Sequence, residues 1–215
     1  MLKINPNELA AVALVTSKET TRYYLCGVYI EQFANGFTSL TATDGHRCHS
    51  IRKLAREIPD LVFIFKNEDI KRAMDLVKTG RKIAGRAHAS DVEIWIETAA
   101  SENETKLLVL VGLPETPSRE RQVFGSFETK AIDGNFPDYR RIFPSRDLEQ
   151  PGAVMQIDGR FLVDLAEASK LLYTGQARCV PYAITLHPGK TASDSILVTI
   201  EHAREFLAVI MPIRR

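Results

Sequence analysis

Leu61-Val62-Phe63-Ile64-Phe65-Lys66, then Asn67, then a stretch in which Ile70, Ala73, Met74 and Val77 recur at helical spacing before Gly80, reads as strand, cap, amphipathic helix and stop. The same order occurs twice more. Leu2-Lys3-Ile4 precedes Asn5-Pro6-Asn7-Glu8, where Asn5 suits an N-cap, Pro6 the first helical position and Glu8 a capping box. Leu9, Val12 and Ala13 then mark one helical face. Val154-Met155-Gln156-Ile157 precedes Asp158 and a stripe of Leu162, Leu165, Ala166, Ser169 and Leu172, with Ile157 and Leu162 placed as a hydrophobic staple.

Strand signals follow each helix: Tyr23–Glu31 and Phe37–Ser50; Val92–Glu97, Lys106–Gly112 and Gln122–Ile132; Ala183–His187, Ser195–Glu201 and Phe206–Pro212. Val92–Glu97 alternates as a half-buried strand should. The chain therefore reads as about three strand–helix–strands units. The pattern also fits an ordinary α+β domain whose helices share capping rules by chance. Breaks are expected at Ala55–Asp60 and Pro144–Gly152, and exposed loops at Ser101–Thr105 and Pro114–Arg121.

With 215 residues, 45% of them hydrophobic, the chain is long enough to bury a core and too ordered in composition for a disordered or fibrous class. Its longest apolar runs fall far short of the ~20 residues of a membrane span. Its N-terminus lacks the pattern of a secretory signal. Three widely spaced cysteines, Cys26, Cys48 and Cys179, fit a reducing cytoplasm better than a disulfide framework.

The formal net charge is +1, which argues against holding nucleic acid by bulk electrostatics. Cationic charge is nevertheless gathered locally. Lys66, Lys71, Arg72, Lys78, Arg81, Lys82 and Arg86 crowd the second helical stretch, against Glu68, Asp69 and Asp75. Such a face can track phosphates without reading bases, and it is equally what a solvated helix face looks like.

Thr43-Asp44-Gly45-His46-Arg47-Cys48-His49 is the densest cluster of reactive side chains. His46, Cys48 and His49 are too crowded for a zinc site and lack a second ligand pair. Asp44 and His46 have no nucleophile in a recognisable motif. An Asp-Gly tight turn is the favoured reading. No phosphate loop or His-Glu-x-x-His is present, so no catalytic residue, metal site or cofactor is expected. Phe136–Pro144, with two prolines and paired arginines, reads as an extended connector, and the apolar tail Phe206–Ile213 as a strand that needs cover.

Taken together, Thr21-Arg22-Tyr23-Tyr24-Leu25-Cys26-Gly27-Val28, Thr43-Asp44-Gly45-His46-Arg47, Asp133-Gly134-Asn135-Phe136-Pro137-Asp138-Tyr139-Arg140-Arg141 and Met211-Pro212-Ile213-Arg214 resemble the bacterial DNA polymerase III beta subunit, the sliding clamp. The resemblance runs over nearly the whole chain. Residues 1–145 resemble the family's middle domain of two units, and 152–215 only the second half of its last domain, with 146–151 as a linker. It implies an α+β clamp fold of repeated units, with helices on one face of antiparallel sheets. It also implies a non-catalytic processivity factor that encircles duplex DNA in a sequence-independent way and tethers DNA polymerase and other clients. A homo-oligomeric ring is implied, which about twelve units, or roughly four such chains, would close. The partners implied are double-stranded DNA, client proteins bound through short linear peptides, and a clamp loader. A clamp-derived adaptor that binds peptides without encircling DNA is the alternative.

By the same resemblance the client-peptide pocket comprises Leu25, Thr43, Gly45, His46, Arg47, Pro137, Arg141, Ile142, Val209, Met211, Pro212 and Arg214. Tyr23 and Tyr24, with Lys71, Arg72, Lys78, Arg81 and Lys82 of the basic helix, face DNA. Cys48 in place of an aliphatic residue, Ile213 in place of Met, and a final Arg215 rather than Leu bear on pocket shape and client choice, not on the fold.

Overall fold

The computed structural model describes residues 1–33, 36–54, 61–101, 104–143, 155–175 and 182–213. Strand β1 (Leu2–Ile4) leads into helix α1 (Pro6–Ala13), whose Asn5 cap accepts a hydrogen bond from the Asn7 amide at 2.8 Å. Strands β2 (Gly27–Phe33), β3 (Phe37–Thr43) and β4 (Arg47–Leu54) complete the first unit. The second unit is β5 (Leu61–Lys66), the long helix α2 (Asn67–His88), and strands β6 (Glu93–Ser101), β7 (Glu104–Leu113) and β8 (Gln122–Lys130). The third is helix α3 (Arg160–Leu172) with β9 (Thr185–His187), β10 (Ile196–Thr199) and β11 (Phe206–Ile210).

The first two units exchange their leading strands. β1 pairs antiparallel with β6 (Leu2 opposite Ile96, Ile4 opposite Ile94), and β5 pairs antiparallel with β2. One sheet therefore runs β1-β6-β7-β8. The other runs β5-β2-β3-β4-β11-β10-β9, because β11 joins β4 in register from Phe206 opposite Ile51 to Ile210 opposite Arg47. The helices cover the sheets from one side, with α1 packed against both α2 and α3. Ile70, Ala73 and Val77 of α2 are buried in a core that also takes Leu9 and Val12 of α1 and Leu165 and Ala168 of α3. Each large aliphatic side chain so withdrawn from water contributes about 1.5–3 kcal/mol.

Several local expectations are corrected. Tyr23, Tyr24 and Leu25 are not in a strand: Thr20–Leu25 forms a 3-10 helix, closed by the Arg22 amide on Glu19 O and the Cys26 amide on Tyr23 O. The strand starts at Gly27, where a Cβ would lie 2.4 Å from Phe65 O, so only glycine allows β2 and β5 to meet. Asn67 does not cap α2. Its side-chain amide donates to Ser17 O at 2.9 Å and anchors the preceding loop.

Gly80 does not stop α2 either. It is buried within the helix beneath Phe124, whose Cδ2 would be 2.7 Å from a Cβ there, and the left-handed residue is Gly85 (φ +70°). Glu8 pairs with Lys53 of β4 rather than closing a capping box. Met155–Ile157 joins neither sheet; Gln156 O accepts instead from the Ile213 amide of the tail at 2.7 Å, and Val154 lies outside the described residues. The outward Trp95 of β6 breaks the expected alternation. It is buried under the Arg121 guanidinium, 4.3 Å from its ring, and donates to Glu93 at 2.9 Å. The expected breaks at 55–60 and 144–152 lie outside the described residues, as does Cys179.

His49 of β4 is wholly buried against α1. Its Nδ1 is 2.9 Å from Ala11 O, so this nitrogen carries the proton and donates it to the carbonyl, while the ring meets Phe206 edge-on at 5.0 Å. Burial pushes its pKa down to about 4, below its value in the unfolded chain. The unfolded state therefore binds the proton first, and stability present above about pH 6.5 is lost as pH falls toward 4. Urea unfolding is expected to show a loss of about 2 kcal/mol from this residue between pH 7 and pH 5. His49→Gln should flatten that part of the pH profile.

Candidate functional site

The helical side carries the basic surface. Lys71, Arg72, Lys78 and Lys82 of α2 are exposed and Arg81 is half-buried. Arg72 lies over the Phe127 ring at 4.3 Å, Lys78 pairs with Asp75 at 3.0 Å, and Arg81 donates to Asn7 Oδ1 at 2.9 Å. Lys71 and Lys82 make no ion pair among the described residues. Tyr23 is exposed at 53% and meets Tyr24 edge-on at 5.8 Å, next to Gly134 of the connector.

The Asp44-Gly45 turn joins β3 to β4, with Gly45 at φ +93°. The Asp44 carboxylate accepts from the His46 amide at 2.9 Å and from the Arg47 amide at 3.2 Å. Thr43 Oγ1 accepts from the Gly45 amide at 3.0 Å and donates to Arg47 O at 2.7 Å. This closed turn aims Arg47 toward α3. Its guanidinium binds Asp44 at 3.0 Å and also Asp164 of α3, and stacks on Phe161 with Cζ 4.7 Å from the ring centroid. The Met211 amide donates to His46 O at 2.9 Å, and the Ile213 amide to Gln156 O at 2.7 Å, so the tail is stitched to both sides.

These groups wall a cleft of about 780 Å³ lined by Asp44, His46, Arg47, Asp158, Arg160, Phe161, Val163, Asp164, Met211, Pro212 and Ile213. Asp158 accepts from the Arg160 guanidinium and backbone amide, which hold its carboxyl down at about 2. The walls are apolar (Phe161, Val163, Met211, Ile213) and the mouth is charged. That is the make-up of a site for a short amphiphilic segment.

Of the residues singled out from sequence, His46, Arg47, Met211 and Pro212 meet in this cleft. Leu25, Thr43 and Val209 are buried, Val209 opposite Cys48 in the β4–β11 ladder, and Gly45 is at the exposed turn. Arg214 lies outside the described residues. Pro137, Arg141 and Ile142 sit on the connector, where Arg141 pairs with Asp138 at 2.8 Å and Ile142 O accepts from Ser195 at 3.2 Å. Asp158, Arg160, Phe161 and Asp164 were missed. Phe161 and Asp164, three apart on one helical face, were the available signal.

The connector is bound to the opposite face of the larger sheet by a polar chain. Tyr139 Oη donates to buried Glu31 at 2.8 Å and so accepts from Ser39 (2.9 Å), which accepts from Thr41 (3.3 Å), which accepts from Ser50 (2.9 Å). Arg140 reaches both Glu31 oxygens, and Tyr29 stacks on Phe136 with ring centroids 4.7 Å apart. Among the described residues no three His, Cys, Asp or Glu side chains are grouped to hold a metal, and no helix is long and apolar enough to cross a membrane.

Comparison with solved structures decides the architecture. The beta subunit of the Streptococcus pyogenes DNA polymerase superposes with a TM-score of 0.62 at 14% identity, covering 100% of this chain and 66% of that one. The chain has the sliding-clamp fold. The sliding clamp of Bartonella birtlesii bound to griselimycin gives a TM-score of 0.65 at 19% identity over 98% of this chain and 64% of that one. The Caulobacter crescentus clamp gives 0.62 at 20% identity over 100% and 65%. The chain thus spans slightly under two thirds of the length of these clamps. No protein-family model and no curated protein matches its sequence.

Arg47 holds two carboxylates and an aromatic ring from separate units, so Arg47→Ala is expected to cost about 2–4 kcal/mol in urea unfolding, and Asp164→Asn less. Tyr139→Phe should cost about 1–3 kcal/mol, because Ser39 and Glu31 lose their common partner.

Proposed function

We propose that this chain is a sliding clamp: a non-catalytic processivity factor that surrounds duplex DNA with its helical side inward and tethers polymerase through the Arg47 cleft. The observation that carries this is the coincidence of a clamp fold over the whole chain with a basic α2 on the side opposite the exposed sheet faces. Lys71, Arg72, Lys78, Arg81 and Lys82, with Tyr23 and Tyr24, are the proposed DNA-facing residues. A near-neutral chain suits this role, since enclosure retains the duplex and diffuse phosphate contacts leave it free to slide.

The client partner is a short linear peptide. Its apolar side chains would take the Phe161, Val163, Met211 and Ile213 walls, and Arg160 at the mouth would take an acidic or carbonyl group. Pro137, Arg141 and Ile142 would extend the surface along the connector, with Leu25, Thr43, Gly45 and Val209 supporting it and Arg214 at its end. Several copies must join to enclose a duplex, and a clamp loader would open them.

Retention on nicked circular DNA, with loss after linearisation, is the expected result. Lys71→Glu combined with Lys82→Glu should shorten that retention several-fold without changing stability. A protein that leaves circles and linear DNA equally fast would refute the ring. If peptide binding persisted in that case, the adaptor reading would replace it. Phe161→Ala or removal of Met211–Arg215 should weaken binding of an amphiphilic client peptide at least tenfold, and unchanged affinity in both would refute the cleft assignment.

A further inference from the structure

A second cleft, of about 440 Å³, lies between β1 and one end of the β2–β3–β4 ladder, and the proposed function makes no use of it. Its size is within the roughly 300–1,000 Å³ of small-molecule sites. Leu2 and Ile4 of β1 supply part of its wall. Leu40 and Ile51, opposite each other on β3 and β4, supply another part. All four are buried, whereas Met1 and Leu54 stand exposed at the rim. The cleft shares no residue with the Arg47 cleft.

One polar side chain on this apolar wall is out of place. Gln32 of β2, opposite Thr38 of β3, is only 2% exposed. Its Nε2 donates to Thr38 Oγ1 at 3.4 Å, a long bond, and its Oε1 is buried with no hydrogen-bond partner. A primary amide has two N–H donors and a carbonyl acceptor, so Thr38 engages a small part of what Gln32 offers. Turning the amide over would leave an N–H unpaired instead, so neither assignment satisfies it within the fold. Folded proteins keep few such groups, because a buried acceptor without a donor forfeits its hydration for nothing.

Charge decides the class of ligand. Of the charged side chains on the wall, Glu8 pairs with Lys53, and Lys3 pairs with Glu93 at 3.9 Å. An ion would find no unpaired charged side chain there, among the described residues, to offset its desolvation. We propose that this cleft binds an uncharged small molecule with an apolar ring and a carboxamide or lactam group. The ligand's N–H donates to Gln32 Oε1, its carbonyl accepts the second Nε2 hydrogen, and its ring lies against Leu2, Ile4, Leu40 and Ile51. A molecule so placed bridges β1 of one sheet to β2, β3 and β4 of the other. The inference is independent of whether the chain encloses DNA.

The probe is 3-phenylpropanamide, set against its methyl ester, which lacks the N–H, and the 3-phenylpropanoate anion. In methyl-resolved NMR titrations of the unaltered chain, the amide should shift the Leu2, Ile4, Leu40 and Ile51 methyl signals. The ester should bind about tenfold more weakly, and the anion more weakly still. No shift up to the solubility limit, equal binding of amide and ester, a preference for the anion, or shifts confined to the Arg47 cleft would each overturn the proposal. Gln32→Met, which keeps the side chain's length without its amide, should unfold at an unchanged or higher urea concentration and bind the amide no better than the ester. A clearly lower unfolding midpoint would show that the fold itself satisfies Gln32 and would overturn the proposal. So would an amide preference that survives the substitution.

Discussion

In the first two strand–helix–strands units of this chain the leading strand does not pair with the strand that follows its own helix. Each leading strand takes its hydrogen-bonding partner from the other unit, in the antiparallel sense. β1 on β6 and β5 on β2 are that solution, and the rest of the architecture follows from it. The exchange sets both sheets side by side, which gives α1 and α2 a common floor and places the basic residues of α2 outward. It also leaves β4 and β8 as lateral edges, and β11 takes the first of these.

The cleft depends on that junction. Arg47 begins β4 where β11 ends, and the Met211 amide on His46 O continues the pairing past the last strand residue. The guanidinium then has a short reach to Asp164 and Phe161 on α3. On the other face, the hydroxyl chain from Ser50 to Tyr139 ends on a buried carboxylate, so each donor has a fixed direction. Buried polar groups linked in this way specify one docking of the connector rather than adding much to stability.

What was legible in the sequence was what local physics controls. The Asn5 cap, the proline after it, the strand of Leu61–Lys66 and the Asp44-Gly45 turn all stand as read. The errors came where distant contacts overrode local preference. Gly80 looked like a stop but serves Phe124, far along the chain, and Asn67 looked like a cap but serves Ser17. Met155–Ile157 has strand composition, yet composition cannot supply a sheet to join. Half of the cleft was invisible for a similar reason: the partners Arg47 and Asp164 are 117 residues apart, and nothing local to either announces the pair.

The seven-stranded sheet has a mechanical consequence. It runs without a gap from the first unit into the third, across the place where the sequence suggested a domain boundary. Bending there would shear the five-residue register of β11 on β4 and pull Arg47 from Asp164 at the same time. The first and third units are therefore coupled at that seam, and neither can shift there without breaking both the ladder and the ion pair.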